Sequence, residues 1–177
     1  NPRLAIAYGG AFIGRGDFVV VGAFFSLWIT QAGIASGLSP AASLARAGMY
    51  FGILQLAGMA WAFFMGMIAD RVNRVTGVCI AYGLAAGSYL LLGQVDDPFS
   101  DGFLPIVILV GIGEISVIVA TGALLGQEAP LEERGPVVGL FNASGGLGIL
   151  FATAAGGYVF DRFGPTVPFT MMAVLNA

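Results

Sequence analysis

Gly66-Met67-Ile68-Ala69-Asp70-Arg71 and Gly157-Tyr158-Val159-Phe160-Asp161-Arg162 decide how this chain is read. The two copies lie 91 residues apart, and each closes a long uncharged run. An Asp-Arg pair where an apolar helix leaves a bilayer is a docking feature. Its return at one offset implies that one half of the chain repeats the other.

Working outward, the uncharged runs are Ala47–Ala69, Val75–Val95 and Gly135–Phe160, of 23, 21 and 26 residues. A bilayer core needs about 20 helical residues, and each run meets that length. Three further spans complete the set. One, Leu4–Gln31, is interrupted by Arg15 and Asp17; another, Phe103–Gln127, by Glu114; the sixth begins near Thr166. The runs lack strand alternation, and lipid tolerates only helices or closed barrels. The expectation is an all-α polytopic membrane protein with six transmembrane helices. Two triplets, about residues 1–95 and 96–177, are expected to be related by inverted topology. Inverted three-helix repeats are characteristic of transporters.

Composition agrees. Hydrophobic residues make up 58% and charged residues 10%, against about 25% charged in soluble domains. Glycine, at 28 residues, suits close helix approach in lipid. Seven arginines, no lysine and no histidine leave no basic patch, so nucleic acid is excluded as a partner. Cys79 is alone, which rules out an internal disulfide and a multi-cysteine metal site; it reads as a packing residue. No metal or cofactor is expected. No signal peptide is visible, the sequence opens at Asn1 without methionine, and it stops inside an apolar run; it reads as a fragment. The Ala/Gly/Arg bias points to a bacterial inner membrane. Arg3, Arg71, Arg74 and Arg134 share one side, against Arg46 and Arg162 with Asp96, Asp97 and Asp101 on the other. The positive-inside rule then puts the Asn1 end in the cytoplasm.

Asp70 falls where the helix macrodipole disfavours an anion. It calls for compensation by Arg71, Arg74 or another helix's N-terminus, with Gly66 admitting a neighbouring backbone. Asp161 and Gly157 are expected to repeat this at the opposite face. Gly66-x-x-x-Asp70-Arg71-x-x-Arg74 resembles the cytoplasmic signature loop of the major facilitator superfamily. Asn73 stands for the second glycine and Val75 for the final basic residue. Asn1-Pro2-Arg3, the Pro130–Arg134–Gly135 connector and Asp161-Arg162-Phe163-Gly164 are similar to its second six-helix half. The resemblance covers essentially the whole chain. It implies helices seven to twelve of twelve, a missing N-terminal six-helix half as partner, and a gating role for the Asp70 loop against that half. It also implies that the first and fourth helices line a central cavity.

Arg15 lies 11 residues past Leu4, and Glu114 lies 11 past Phe103. Both are then roughly 16 Å deep in a core about 30 Å thick. A charge there costs about 2.5–3.5 kcal/mol on insertion scales, so it should face protein or water. Arg15 and Glu114 are the leading pair for substrate or proton coupling, with Glu114 a candidate proton carrier. Asp17 stands about 200° from Arg15 on a regular helix, so both share a cavity only if Gly14 and Gly16 let the helix unwind. The plainer reading is a buried Arg15–Glu114 or Arg15–Asp17 salt bridge. Gln55, Asn142 and Ser144 are secondary polar candidates, for solute or for bridging helices. Trp28 and Trp61 read as packing or interfacial aromatics, and Glu128, Glu132 and Glu133 as a solvated loop face.

The resulting expectation is a secondary carrier, symporter or antiporter, moving a small solute by alternating access in a lipid bilayer. No phosphate-binding loop of the Gly-x-x-x-x-Gly-Lys type is present, so coupling to ATP is not expected. A non-transporting assembly subunit is the alternative. Gly14-Arg15-Gly16-Asp17 also fits the Gly-x-Gly-Asp pattern of intramembrane aspartyl proteases, but that chemistry needs a second aspartate within a span. An enzyme is therefore not expected.

Overall fold

The computed structural model describes all 177 residues, and every regular element is helical. We label the helices α1 (Pro2–Ala35), α2 (Pro40–Arg71), α3 (Arg74–Gly93), α4 (Phe103–Glu128), α5 (Arg134–Phe163) and α6 (Val167–Asn176). The first five are long and apolar enough to cross a membrane; α6 is a shorter apolar helix of 10 residues.

Local chemistry sets the ends. The Asn1 side chain accepts from the Arg3 amide and Pro2 opens α1, while Ser39 caps the Ala42 amide ahead of Pro40. These are the favoured N-cap and first-turn residues. Asn73 accepts from the Val75 amide to start α3. The chain leaves α1 and α5 through Gly37 (φ 87°) and Gly164 (φ 124°), conformations that other residues resist. The helices run past the uncharged stretches, so Asp70-Arg71 and Asp161-Arg162 lie in the last turns of α2 and α5, not in the connectors.

The bundle is built on α4, the most buried span, which packs on α1, α2 and α3; α1 also packs on α5, and α3 on α6. Glycine makes these crossings possible. A Cβ on Gly111 would strike the Leu54 carbonyl, and one on Gly58 would come within 2.8 Å of the Gly111 carbonyl. A Cβ on Gly148 would strike the Phe12 carbonyl, which fixes α1 against α5. Gly66 and Gly157 have no such role. A Cβ on Gly66 would meet nothing, and one on Gly157 only Phe24 at ordinary distance, whereas one on neighbouring Gly156 would come within 2.6 Å of that ring. The close approach expected of the motif glycines is absent because the seams run along other faces.

Phe25, Trp28, Phe103 and Phe169 form a buried aromatic cluster joining α1, α4 and α6. A π-helical segment, Val20–Phe25, carries Phe25 into this cluster from within α1. The irregularity therefore lies beyond Gly14–Asp17, where the helix stays regular. Trp61 donates to Ser116 at 2.9 Å, tying α2 to α4. Cys79 is exposed, not packed.

Candidate functional site

Arg15 and Glu114 do not meet. Arg15 is exposed beside a cleft of about 180 Å³ lined by Gly10, Ala11 and Gly14 of α1, Ile118, Thr121 and Gly122 of α4, and Phe141 of α5. Its aliphatic stem crosses α5 at Gly145, where a Cβ would come within 2.8 Å of Arg15 Cγ. Glycine at 145 thus sets the path of the guanidinium. No ion pair or hydrogen bond engages Arg15; the two ion pairs of the chain lie elsewhere. Thr121, the other polar side chain in the cleft, has its hydroxyl donated to the Val117 carbonyl at 2.6 Å.

Asp17 and Glu114 instead face the bundle interior, at 0% and 3% exposure. Both Asp17 oxygens accept from the Asn176 side-chain amide, at 3.0 and 3.2 Å, and that amide also donates to the Met172 carbonyl at 2.9 Å. Glu114 stands within electrostatic reach of Asp17, and Tyr89 within reach of both. Glu114 Oε1, the Tyr89 hydroxyl and Asn176 Oδ1 are buried without a hydrogen-bond partner. Neither expected salt bridge forms. On a regular helix the step from residue 15 to residue 17 turns the side chain through about 200°, so Arg15 points out and Asp17 points in.

Asn176 and Tyr89 were not among the sequence candidates. The available signal was a polar side chain in an otherwise apolar helix, read for Glu114 but not extended to these two.

The two Asp-Arg turns differ. Arg74 donates from Nη1 to Asp70 Oδ1 at 2.9 Å and to the Ala69 carbonyl, and from Nε to Gln127 Oε1 at 3.2 Å. It therefore joins the end of α2, the start of α3 and the end of α4. Arg71 makes no ion pair, and neither do Asp161 and Arg162, which are exposed. The repeated arrangement expected at the second turn does not form. Glu128 is not a loop charge: it accepts from Arg3 at 2.8 Å and from Asn1 at 3.0 Å, holding α1 to α4. Ser144 donates to the Tyr8 carbonyl at 2.7 Å and bridges α5 to α1. Gln55 is half-buried with an unpaired amide nitrogen, and Asn142 is exposed.

A family model described as Major Facilitator Superfamily matches residues 7–177. Magnetosome protein MamZ of Magnetospirillum gryphiswaldense is 32% identical over 172 residues, 97% of this chain and 26% of that protein. MamZ of Paramagnetospirillum magneticum is 31% identical over 172 residues, again 97% of this chain and 27% of the relative. Magnetosome protein MamH of the same organism is 32% identical over 181 residues, 99% of this chain and 41% of its own length. The chain thus spans between about a quarter and two-fifths of the relatives it matches.

Proposed function

The chain belongs to the Major Facilitator Superfamily, and from that premise we propose that it is the C-terminal six-helix half of a secondary carrier. The carrier moves a small solute by alternating access, with the solute site between this half and an N-terminal six-helix half. The carrying observation is Arg15: a partnerless guanidinium midway along a membrane helix, on a cleft between α1, α4 and α5. Hydrocarbon would penalise that charge strongly, so the face bearing it borders water and solute. The least buried spans, α2 and α5, supply the surface for the other half. Asp70, 74% exposed at its side chain with one oxygen on Arg74, keeps acceptor capacity for a gating contact there.

Residues 1–95 and 96–177 are taken as inverted triplets. Support comes from the packing, in which α1 lies on α5 as α4 lies on α2, with α3 against α6. Asp17 and Glu114, the two carboxyls buried inside the bundle, are the proposed proton-coupling element. In this reading the Asn1 end faces the cytoplasm and the bundle spans a bacterial inner membrane. The names of the relatives extend the candidates to a magnetosome membrane. Those names specify an organelle and no solute, which keeps a non-transporting assembly subunit as the alternative.

Reconstitution of the full-length protein into vesicles tests the reading. Solute flux should appear, should respond to a pH gradient, and should lose that response in Glu114→Gln. A folded, reconstituted protein without flux of any solute supports the assembly subunit. Retained proton dependence in Glu114→Gln removes the coupling role.

A further inference from the structure

We propose that the cleft at Arg15 binds an anionic group, so that the solute carries a carboxylate, phosphate or sulfate. The inference rests on the carrier reading and narrows its substrate class. Apart from Arg46, in the second turn of α2 with its guanidinium over the Phe99 ring, the charges away from the terminal turns of the spans are Arg15, Asp17 and Glu114. The two carboxyls are sealed inside the bundle, and Asp17 is engaged by Asn176. The open face therefore presents one charge, and it is positive.

The chemistry of the lining is equally one-sided. Gly10, Gly14 and Gly122 contribute no side chain, Ala11, Ile118 and Phe141 contribute apolar surface, and the Thr121 proton is already donated within α4. What remains is a guanidinium with up to five N–H donors and no acceptor. A neutral polyol would need acceptors for its hydroxyl protons, and a cation would be repelled. A carboxylate or tetrahedral oxyanion matches the planar fork with paired charge-assisted bonds. The cleft, at about 180 Å³, is below the roughly 300–1,000 Å³ of sites for drug-sized ligands, so it receives a small anion or the anionic end of a larger solute. Gly145 serves as the positioning residue, because it lets the Arg15 stem lie across α5.

The test uses the purified full-length protein in detergent at constant ionic strength. Its unfolding temperature is measured with inorganic phosphate, sulfate, succinate, glucose or choline. An anion that binds should raise the transition by about 1–2 °C at ten times its Kd. Arg15→Gln should abolish the rise, and Arg15→Lys should keep part of it. Gly145→Val, which leaves the charge but displaces the stem, should weaken it. The proposal is overturned if no anion of the set protects, if glucose or choline protects instead, or if the rise persists in Arg15→Gln. A carboxylate from elsewhere in the protein pairing with Arg15 would show as destabilisation by Arg15→Gln without anion protection, which also overturns it. The carrier reading fails separately: protection by an anion that vesicles never transport refutes carriage and leaves the anion site standing. Flux that survives Arg15→Gln has the opposite meaning.

Discussion

Arg15 and Asp17 stand two residues apart on one helix and occupy opposite surroundings. Asp17 is sealed in the bundle with the Asn176 amide on both oxygens; Arg15 lies on an open cleft with no partner. The same division separates the two Asp-Arg turns: Asp70 is held by Arg74, while Asp161 and Arg162 are held by nothing. A charge satisfied within the chain stabilises the fold, whereas an exposed one without a partner in the chain is free to contact something outside it. The comparison therefore sorts stability residues from binding residues, and substitutions can break it.

The largest effect should come from the seam that orients α1. In Gly148→Val a side chain would be driven into the Phe12 carbonyl, where backbone cannot yield as a flexible side chain would. Overpacking typically costs about 1–3 kcal/mol and sometimes more; here about 3 kcal/mol or greater is expected, seen as loss of folded protein on size-exclusion chromatography. A well-folded Gly148→Val would mean that α1 and α5 do not need this approach, and both faces of α1 would lose their fixed orientation.

Next in size is the buried polar pair. Asp17→Ala leaves the Asn176 amide short of its acceptors, at about 1–3 kcal/mol. Asp17→Leu combined with Asn176→Leu removes both partners and should recover most of that loss, because neither is left unsatisfied. Equilibrium unfolding in mixed micelles measures the cycle. Additive losses in the double variant would show that Asp17 depends on more than Asn176, with Glu114 and Tyr89 the nearest candidates.

Much of the fold was legible because lipid simplifies the code. An uncharged run of about 20 residues has few alternatives to a spanning helix, and the spans read from Val75 and Phe103 begin within one residue of α3 and α4. The 200° step between Arg15 and Asp17 likewise follows from helix geometry alone. What composition could not supply was rotation about each helix axis. Equal depth suggested that Arg15 and Glu114 share a cavity, but depth fixes only one coordinate, and α4 turns Glu114 toward the interior. Asn176 was missed for a related reason: its partner is 159 residues away, and only packing brings them together. The motif glycines misled because Gly-x-x-x-Asp signals a turn shared by many chains, whereas the closest approaches fall at Gly148, Gly111, Gly10 and Gly93. The repeated motif pointed to two equivalent turns, yet equivalence of sequence did not extend to ion pairing.

That inequality gives the smallest and most discriminating prediction. Arg74 holds Asp70, the Ala69 carbonyl and Gln127 together, but the Asp70 side chain is 74% exposed, so solvent screens most of the ion pair. An exposed pair contributes about 0.2–1 kcal/mol. Arg74 also supplies a donor near the carbonyls that end α2, where a cation is favoured by the helix dipole. Arg74→Ala should therefore lower stability by about 0.5–1 kcal/mol, while Arg162→Ala, with no bond to lose, should stay within about 0.5 kcal/mol of wild type. Differential scanning fluorimetry of the two variants side by side resolves the order. Raising the salt should shrink the Arg74 effect and leave Arg162 unchanged, because only the former includes a screened pair. Equal losses would mean that the two turns are held alike, and a missing partner within this chain would no longer indicate where another surface docks.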